Sequence, residues 1–78
     1  MDYTLEDLKR DLETGHEVHF RYKGKDYSIS NSQNGWHLCE FYKDDQTFET
    51  QSDLLKNGKI NGKHLSEIWE AVEVTTIF

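Results

Sequence analysis

EVHFRYKGKDYSISNSQNGWHLCEFYKDDQTFET, residues 17–50, is the stretch that decides the fold. Within it Val18, Phe20 and Tyr22 alternate with polar side chains, the pattern of a strand with one buried face. Lys23-Gly24 follows, and its glycine tolerates the positive φ that a two-residue hairpin loop requires. This loop aligns three complementary pairs, and a shift of one residue would break all of them. The predicted pairs are Val18–Ile29, Phe20–Tyr27 and Arg21–Asp26.

A second hairpin is predicted at Asn34-Gly35, the dipeptide most typical of a tight hairpin turn. Glu40 is the misfit in this hairpin, because it falls on the apolar face beside Ile29. We expect it at a rim where its carboxylate reaches water. The other predicted pairs are Asn31–Leu38 and Tyr27–Tyr42, with Trp36 on the same side.

The third turn lies within residues 43–46 and admits two loop lengths. A two-residue loop would set Glu40 against Glu49, and like charges directly opposite each other are unfavourable. A three-residue loop pairs Tyr42 with Phe48 instead. We therefore expect the three-residue loop, which makes the stretch a meander of three or four strands.

A helical pattern precedes the meander. Thr4 is placed to cap this first helix, and Leu5, Leu8 and Leu12 form one apolar stripe along it. Gly15 follows in the position that commonly ends a helix. The sequence therefore predicts a first helix from about residue 5 to residue 14.

Further helices follow the meander. Residues 50–53 offer a second helix cap, and a short helix then ends at Asn57-Gly58. Residues 59–62 are predicted to form a turn with Ile60 pointing inward. A last helix is predicted over about residues 63–71, from apolar residues at helical spacing. The β-branched residues 72–78 are read in part as an additional edge strand.

These elements predict one domain over residues 1–78, of the α+β class. The predicted order is α-β-β-β-(β)-α-α, with an edge strand at the end as a further element. Because one face of the meander is apolar, all helices are expected to cover that face in a two-layer sandwich. The core face is expected to carry Val18, Phe20, Tyr27, Ile29, Trp36 and Leu38, with Trp69 packed on it from the last helix.

Composition and charge limit the function. The chain has 78 residues and a formal charge of −6, and its nine basic residues are dispersed among fifteen acidic ones. We expect no direct nucleic-acid binding, because phosphate binding requires clustered Lys and Arg. The acidity has two interpretations, namely solubility of a small protein or attraction to a basic surface on a partner.

Cysteine usage and hydropathy indicate the compartment. Cys39 is the single cysteine of the sequence, which excludes an internal disulfide and fits a reducing compartment. The sequence carries no signal-peptide pattern and no apolar run of membrane-spanning length. We therefore expect a cytoplasmic location and no membrane partner.

The second face of the meander is the main candidate site. It is mostly polar, as expected for an antiparallel sheet that faces water on one side. Phe41 and Cys39 are apolar exceptions, and an exposed aromatic beside His and Arg is typical of a protein-binding hot spot. The alternative is that Ile77-Phe78 folds across this face and buries both. The predicted partner-binding residues are Phe41, Arg21, His19, His37 and Cys39.

The outer surface of the first helix is a secondary candidate. An acidic surface of this kind would bind through electrostatic attraction. A solvated helix surface explains the same residues, and the two basic residues among them weaken its field. The acidic residues are Glu6, Asp7, Asp11 and Glu13, and the basic ones are Lys9 and Arg10.

Catalytic and metal-binding patterns are weak. His37 and Cys39 share a strand face, so a small metal or thiol enzyme using them is the alternative from another class. The sequence contains no CxxC, HExxH, GxSxG or Gly-rich phosphate loop. We therefore expect no catalytic residues, no metal site and no cofactor.

Three segments carry a resemblance to known proteins: LEDLKRDLETG (residues 5–15), YKGKDYSI (22–29) and KINGKHLSEIW (59–69). They are similar to small uncharacterised proteins of low-GC Gram-positive bacteria and their phages. The overall plan also resembles that of phage anti-CRISPR proteins, which are acidic and combine a short helix, a three-stranded meander and closing helices. The resemblance implies an inhibitor that binds the nuclease surface receiving DNA near the PAM. It places no binding residue on a position of this chain.

Together these patterns predict a non-catalytic protein-binding module. The expected role is a stoichiometric phage or prophage inhibitor of a host protein, such as a defence (CRISPR-Cas) nuclease. A bacterial housekeeping interaction protein is the alternative, followed by the enzyme using Cys39 and His37. The partner is expected to be a protein, with a basic nucleic-acid-binding surface as one option. A monomer and a weak dimer both remain open.

Overall fold

The computed structural model describes residues 3–41, 43 and 45–78, and a five-stranded antiparallel sheet forms one of its two layers. The helices are α1 (Leu5–Glu13), α2 (Gln51–Asn57) and α3 (Leu65–Ile68), the last continued by a 3₁₀ turn (Trp69–Ala71). The strands are β1 (Val18–Tyr22), β2 (Lys25–Ser32), β3 (Gly35–Glu40), β4 (Gln46–Phe48), β5 (Lys59–Ile60), β6 (Lys63–His64) and β7 (Glu73–Ile77). The large sheet has the order β4-β3-β2-β1-β7, and β5 and β6 form a separate hairpin. The α+β prediction is confirmed.

The β1–β2 hairpin forms in the predicted register. Lys23 and Gly24 take φ values of +51° and +77°, the left-handed pair that a two-residue loop requires. All three predicted pairs are present, and the Phe20 and Tyr27 rings stack at 5.4 Å. Complementary pairing on both faces therefore fixed this register correctly.

The β2–β3 register differs from the prediction by two residues. The loop is Gln33-Asn34, and Gly35 already belongs to β3 with a φ of +123°. A side chain at Gly35 would overlap the carbonyl oxygen of Phe48, so the glycine is needed where β4 approaches rather than in the loop. A two-residue shift leaves each side chain on its predicted face. The observed pairs are Tyr27–Glu40, Ile29–Leu38 and Asn31–Trp36. The predicted pairs Asn31–Leu38 and Tyr27–Tyr42 were therefore wrong. Glu40 lies opposite Tyr27, so its predicted place beside Ile29 was also wrong.

The connection between β3 and β4 is longer than predicted. Phe48 pairs with Trp36, and Gln46 with Leu38, so the three-residue loop that set Phe48 against Tyr42 was wrong. Tyr42 itself lies outside the described residues. Gln46 explains part of the displacement, because its side-chain amide makes two hydrogen bonds to the main chain of Lys59, at 2.7 and 3.1 Å. These bonds attach β4 to the small β5–β6 hairpin.

The helices begin where their caps predict. Thr4 accepts the Asp7 N–H at 3.1 Å and the Asp7 carboxylate accepts the Thr4 N–H at 3.0 Å, a complete capping box. Thr50 caps α2 with a single hydrogen bond, accepting the Asp53 N–H at 3.1 Å. The last helix starts later than predicted, at Leu65, because residues 59–64 form the β5–β6 hairpin.

The core lies between the helices and one face of the sheet. Trp69 is 6% exposed, packs edge-on against Phe20 at 5.4 Å and donates its indole N–H to the Tyr3 carbonyl. Ile60 is buried as expected, whereas Trp36 is only half-buried at the margin of the core. The buried hydrophobic residues are Leu8, Leu12, Val18, Phe20, Tyr22, Tyr27, Ile29, Leu38, Leu54, Ile60, Leu65, Ile68, Trp69 and Val72.

The predicted edge strand is confirmed as β7. It pairs with β1, and the register shifts between His19 and Phe20, so that Thr75 is an extra residue opposite that step. The three helices lie on the core side, and none of the described helices covers the other face of the sheet, which we call the open face. Within the described residues, no helix is long and apolar enough to cross a membrane.

Candidate functional site

The structure brings the five predicted partner-binding residues onto the open face of the sheet. His19 and Cys39 both pair with Ser28, which lies between them on β2. Arg21 pairs with Asp26, and the backbone carbonyl of Asp26 accepts the N–H of Phe41 at 3.2 Å. The five residues are therefore neighbours across three strands, and their role in binding stays a prediction. His37 completes the set, paired with Ser30 and Thr47.

Three aromatic rings form a strip across this face, which we call the aromatic strip: Phe41, His19 and Phe78. The His19 ring meets Phe41 edge-on at a centroid distance of 6.0 Å and Phe78 at 4.8 Å. Phe41 is 44% exposed and Phe78 is 61% exposed. Ser28, which pairs with His19, is buried at 8% exposure. Phe41 and Phe78 are two of the three large hydrophobic residues that are exposed among the described residues.

Phe78 does not play the covering role considered from the sequence. Ile77 pairs with Val18 at the sheet edge, and Phe78 packs on His19 without burying Phe41. The Phe78 N–H donates to the Glu17 carbonyl at 2.8 Å, and the His16 ring nitrogen Nδ1 lies 2.7 Å from the Phe78 carbonyl oxygen. Backbone and side-chain hydrogen bonds therefore hold Phe78 within the strip. Sequence analysis missed it as a contact residue.

Polar contacts fix the side chains around the strip. Arg21 Nε donates to Asp26 Oδ1 at 3.1 Å, across two neighbouring strands. Both ring nitrogens of His37 are hydrogen-bonded, to Ser32 Oγ at 2.7 Å and to Thr47 Oγ1 at 3.1 Å. His37 thereby connects β3 with the edge strand β4. Both of its nitrogens are thus engaged, so His37 supports the sheet rather than presenting a free base.

The environment of Cys39 does not favour nucleophilic chemistry. Burial raises the pKa of its thiol, and the neighbouring carboxylate of Asp45 raises it further. A reactive cysteine needs the opposite, a stabilised thiolate. Within the described residues, no group of three or more His, Cys, Asp or Glu side chains is arranged to hold a metal ion. Cys39 is therefore best explained as a half-buried strand residue.

Acidic side chains border the open face. Glu73 lies opposite Arg21, Asp45 is next to Cys39, and Glu17 precedes β1 on the side of His19. We call Glu17, Glu73 and Asp45 the acidic rim. Arg21 is already paired with Asp26, so it does not neutralise them. Near Phe41 the charges are mixed, since Lys25 and Lys43 flank a cavity shared with Asp26 and Glu40.

The secondary acidic surface on α1 is less available than its sequence suggested. Asp7 is used in the capping box, and Asp11 accepts the Tyr3 hydroxyl, which together with burial raises the pKa of Tyr3. Arg10 lies 3.6 Å from Asp7. Of the four predicted acids, Glu6 and Glu13 are exposed, and Asp7 and Asp11 are half-buried. Two of the four carboxylates are therefore engaged in hydrogen bonds within the fold.

A small cavity of about 220 Å³ opens on the core side, between Tyr27, Glu40 and the β5–β6 hairpin. Glu40 reaches the rim as expected, with 21% of its side chain exposed and an ion pair to Lys43 at 3.2 Å. Lys43 lowers the pKa of Glu40. Burial, reinforced by Glu40, raises the pKa of Tyr27 to about 12. Glu40 and Lys43 of the lining pair with each other, whereas the buried Tyr27 hydroxyl has no hydrogen-bond partner among the described residues. The part of the lining that the structure describes carries no exposed aromatic side chain, so the open sheet face is the better candidate site for a protein partner.

No family model, curated protein or solved structure matches this chain. The resemblance to small phage proteins therefore stays a prediction from the sequence. The candidate site is defined by its own geometry, as an open sheet face with a three-ring aromatic strip and an acidic border.

Proposed function

We propose that this chain is a non-catalytic protein-binding module that contacts its partner through the open face of its sheet. The observation that carries the proposal is the aromatic strip, in which Phe41 and Phe78 stand exposed on either side of His19. Large aromatic side chains supply most of the affinity where a partner removes them from water. Small polar residues elsewhere on the same face, such as Ser30 and Thr47 beside His37, need little energy to cover.

The proposed role is that of a stoichiometric inhibitor of a host protein, of the phage or prophage kind, acting in the cytoplasm. The formal charge of −6 supports a partner with a basic surface, for example one that otherwise binds nucleic acid. A CRISPR-Cas nuclease is one such target and agrees with the sequence resemblance. Inhibition of this type needs only occupation of a surface, which fits the absence of a reactive thiol at Cys39.

The open face is favoured over α1 for a physical reason. Two of the acids on α1 already stabilise the fold, and Lys9 and Arg10 lie among the others. Such a surface would bind mainly by long-range attraction, which salt screens within about 10 Å. The strip instead offers apolar area, whose contribution does not depend on salt in this way.

The test is a pull-down with the full chain from a Gram-positive bacterial lysate at low salt, followed by titration of the retained protein. We expect a saturable partner whose affinity falls by about 2 kcal/mol, roughly thirtyfold, in Phe41→Ala. The control is Glu6→Lys with Glu13→Lys, which should mainly slow association. Thermal unfolding checks that each variant is folded.

Two results would count against this proposal. If the partner binds Phe41→Ala as tightly as the parent but does not bind after charge reversal at Glu6 and Glu13, the binding site lies on α1. Failure to retain any saturable partner would remove the binding role itself. A Cys39→Ser variant that behaves like the parent would remove the alternative of a thiol enzyme.

A further inference from the structure

We infer that the open face receives an amphipathic α-helix of the partner, with its apolar side on the aromatic strip and Lys or Arg beside the acidic rim. The inference rests on the proposed function and specifies its partner. It follows from three features of the described residues: the backbone groups available, the spacing of the rings and the distribution of charge.

Backbone hydrogen bonding favours a helix over an extended segment. An open sheet face presents side chains only, so a segment lying on it must satisfy its own N–H and C=O groups. A helix does so internally, whereas an extended peptide needs a sheet edge to pair with. Both edges of this sheet are poor templates, because β4 has three residues and β7 carries the bulge at Thr75.

The spacing of the rings matches one side of a helix. From Phe41 to His19 the centroids are 6.0 Å apart, and from His19 to Phe78 they are 4.8 Å apart. Residues four and three apart on a helix rise by about 6.0 and 4.5 Å along its axis. Same-side residues of an extended chain are separated by about 6.7 Å. An apolar i, i+4, i+7 stripe therefore follows the three rings more closely than an extended chain does.

The acidic rim sets the charge of the helix. Glu17 lies beside Phe78, Glu73 lies opposite Arg21, and Asp45 lies beside Cys39, so acidic side chains border the strip on more than one side. Lys25 and Lys43 lie only at the Phe41 end. A helix with Lys or Arg on both sides of its apolar stripe would complement this distribution.

The experiment uses three synthetic peptides of about 18 residues, long enough for four to five helical turns. The first has leucine at i, i+4 and i+7 with lysine on both flanks, and the second replaces each lysine by glutamate. The third keeps the composition of the first but alternates leucine and lysine, which favours an extended chain. Each peptide is titrated into the full isotope-labelled protein, and amide NMR shifts report affinity and location.

We expect the lysine-flanked helix to shift amides of β1, β3 and β7 and to bind at least about tenfold more tightly than the other two peptides. Phe41→Ala and Glu73→Lys should each weaken it, while Glu70→Lys, an equal charge change on the helical side, should not. If the alternating peptide binds most tightly at the same face, the inference of a helix is wrong. If the glutamate peptide binds most tightly there, the inferred charge of the helix is wrong. In both cases the proposed function would stand. Binding centred on α1 would overturn the site as well. No binding of any peptide would overturn the helix inference, since the lysate titration tests the function separately.

Discussion

Gly35 offers the sharpest test of the sheet geometry. Its φ of +123° lies in a region that side chains rarely adopt, and an added methyl would overlap the Phe48 carbonyl oxygen. In Gly35→Ala the backbone strain alone should cost about 1–3 kcal/mol. The overlap forces β4 away from β3, so the Trp36–Phe48 pairing is lost in addition. A total of about 3 kcal/mol or more is a large part of the roughly 4–12 kcal/mol expected for a domain of this size.

The matched control is Gly24→Ala in the β1–β2 loop. Gly24 also has a positive φ, of +77°, but nothing lies within 4 Å of an added methyl. It should therefore show the strain alone, about 1–2 kcal/mol for a non-glycine residue in the left-handed region. Urea unfolding of both variants gives the comparison, and the difference measures the approach of β4 to Gly35. If Gly35→Ala is no less stable than Gly24→Ala, the assigned β3–β4 register is wrong.

Two further predictions concern the core and the first helix cap. Trp69→Ala should lower the free energy of unfolding by about 3–5 kcal/mol, because the indole is 6% exposed and packs on Phe20. A urea midpoint equal to that of the parent would show that Trp69 is not a core residue. The Asp7 carboxylate accepts the Thr4 N–H, and this hydrogen bond lowers the pKa of Asp7 in the folded chain. The stability that Asp7 contributes is therefore fully present above the ordinary pKa of 3.8 and is lost as the pH falls through the folded-state pKa. Asp7→Asn should therefore reduce the loss of stability between about pH 5 and pH 2. Equal acid unfolding curves for Asp7→Asn and the parent would contradict the capping box.

The sequence predicted the register of a strand pair correctly only where a shift of either one or two residues would have broken favourable side-chain pairs. For β1 and β2, the short Lys23-Gly24 loop and complementary pairs on both faces left one solution. For β2 and β3, a shift by two residues preserves every face, so patterning could not detect it. What decided that register was the contact between Gly35 and β4, a tertiary contact that a local turn signal does not contain.

The candidate site was predicted in the same uneven way. Alternation along β1 and β3 correctly placed His19, Arg21, His37, Cys39 and Phe41 on one face. From the sequence Phe78 was considered only as a cover for this face, and the bulge at Thr75 is what brings its side chain into the strip. Counting by twos from Val74, which faces the core, puts Phe78 on the core side, and the extra residue reverses this. A bulge in a strand of β-branched residues leaves no mark in the sequence.

The pairing of β7 with β1 has a consequence for the order of folding. The meander from β1 to β3 closes through short loops, whereas β7 must return across most of the chain to reach Val18. Because closing so long a loop costs more entropy, we expect this contact to form late in folding. Because Phe78 enters the aromatic strip only when β7 is in place, a chain that has folded its meander alone carries an incomplete contact surface. We therefore expect partner recognition to begin only after the last strand has joined the sheet, so that partially folded chains do not compete for the target.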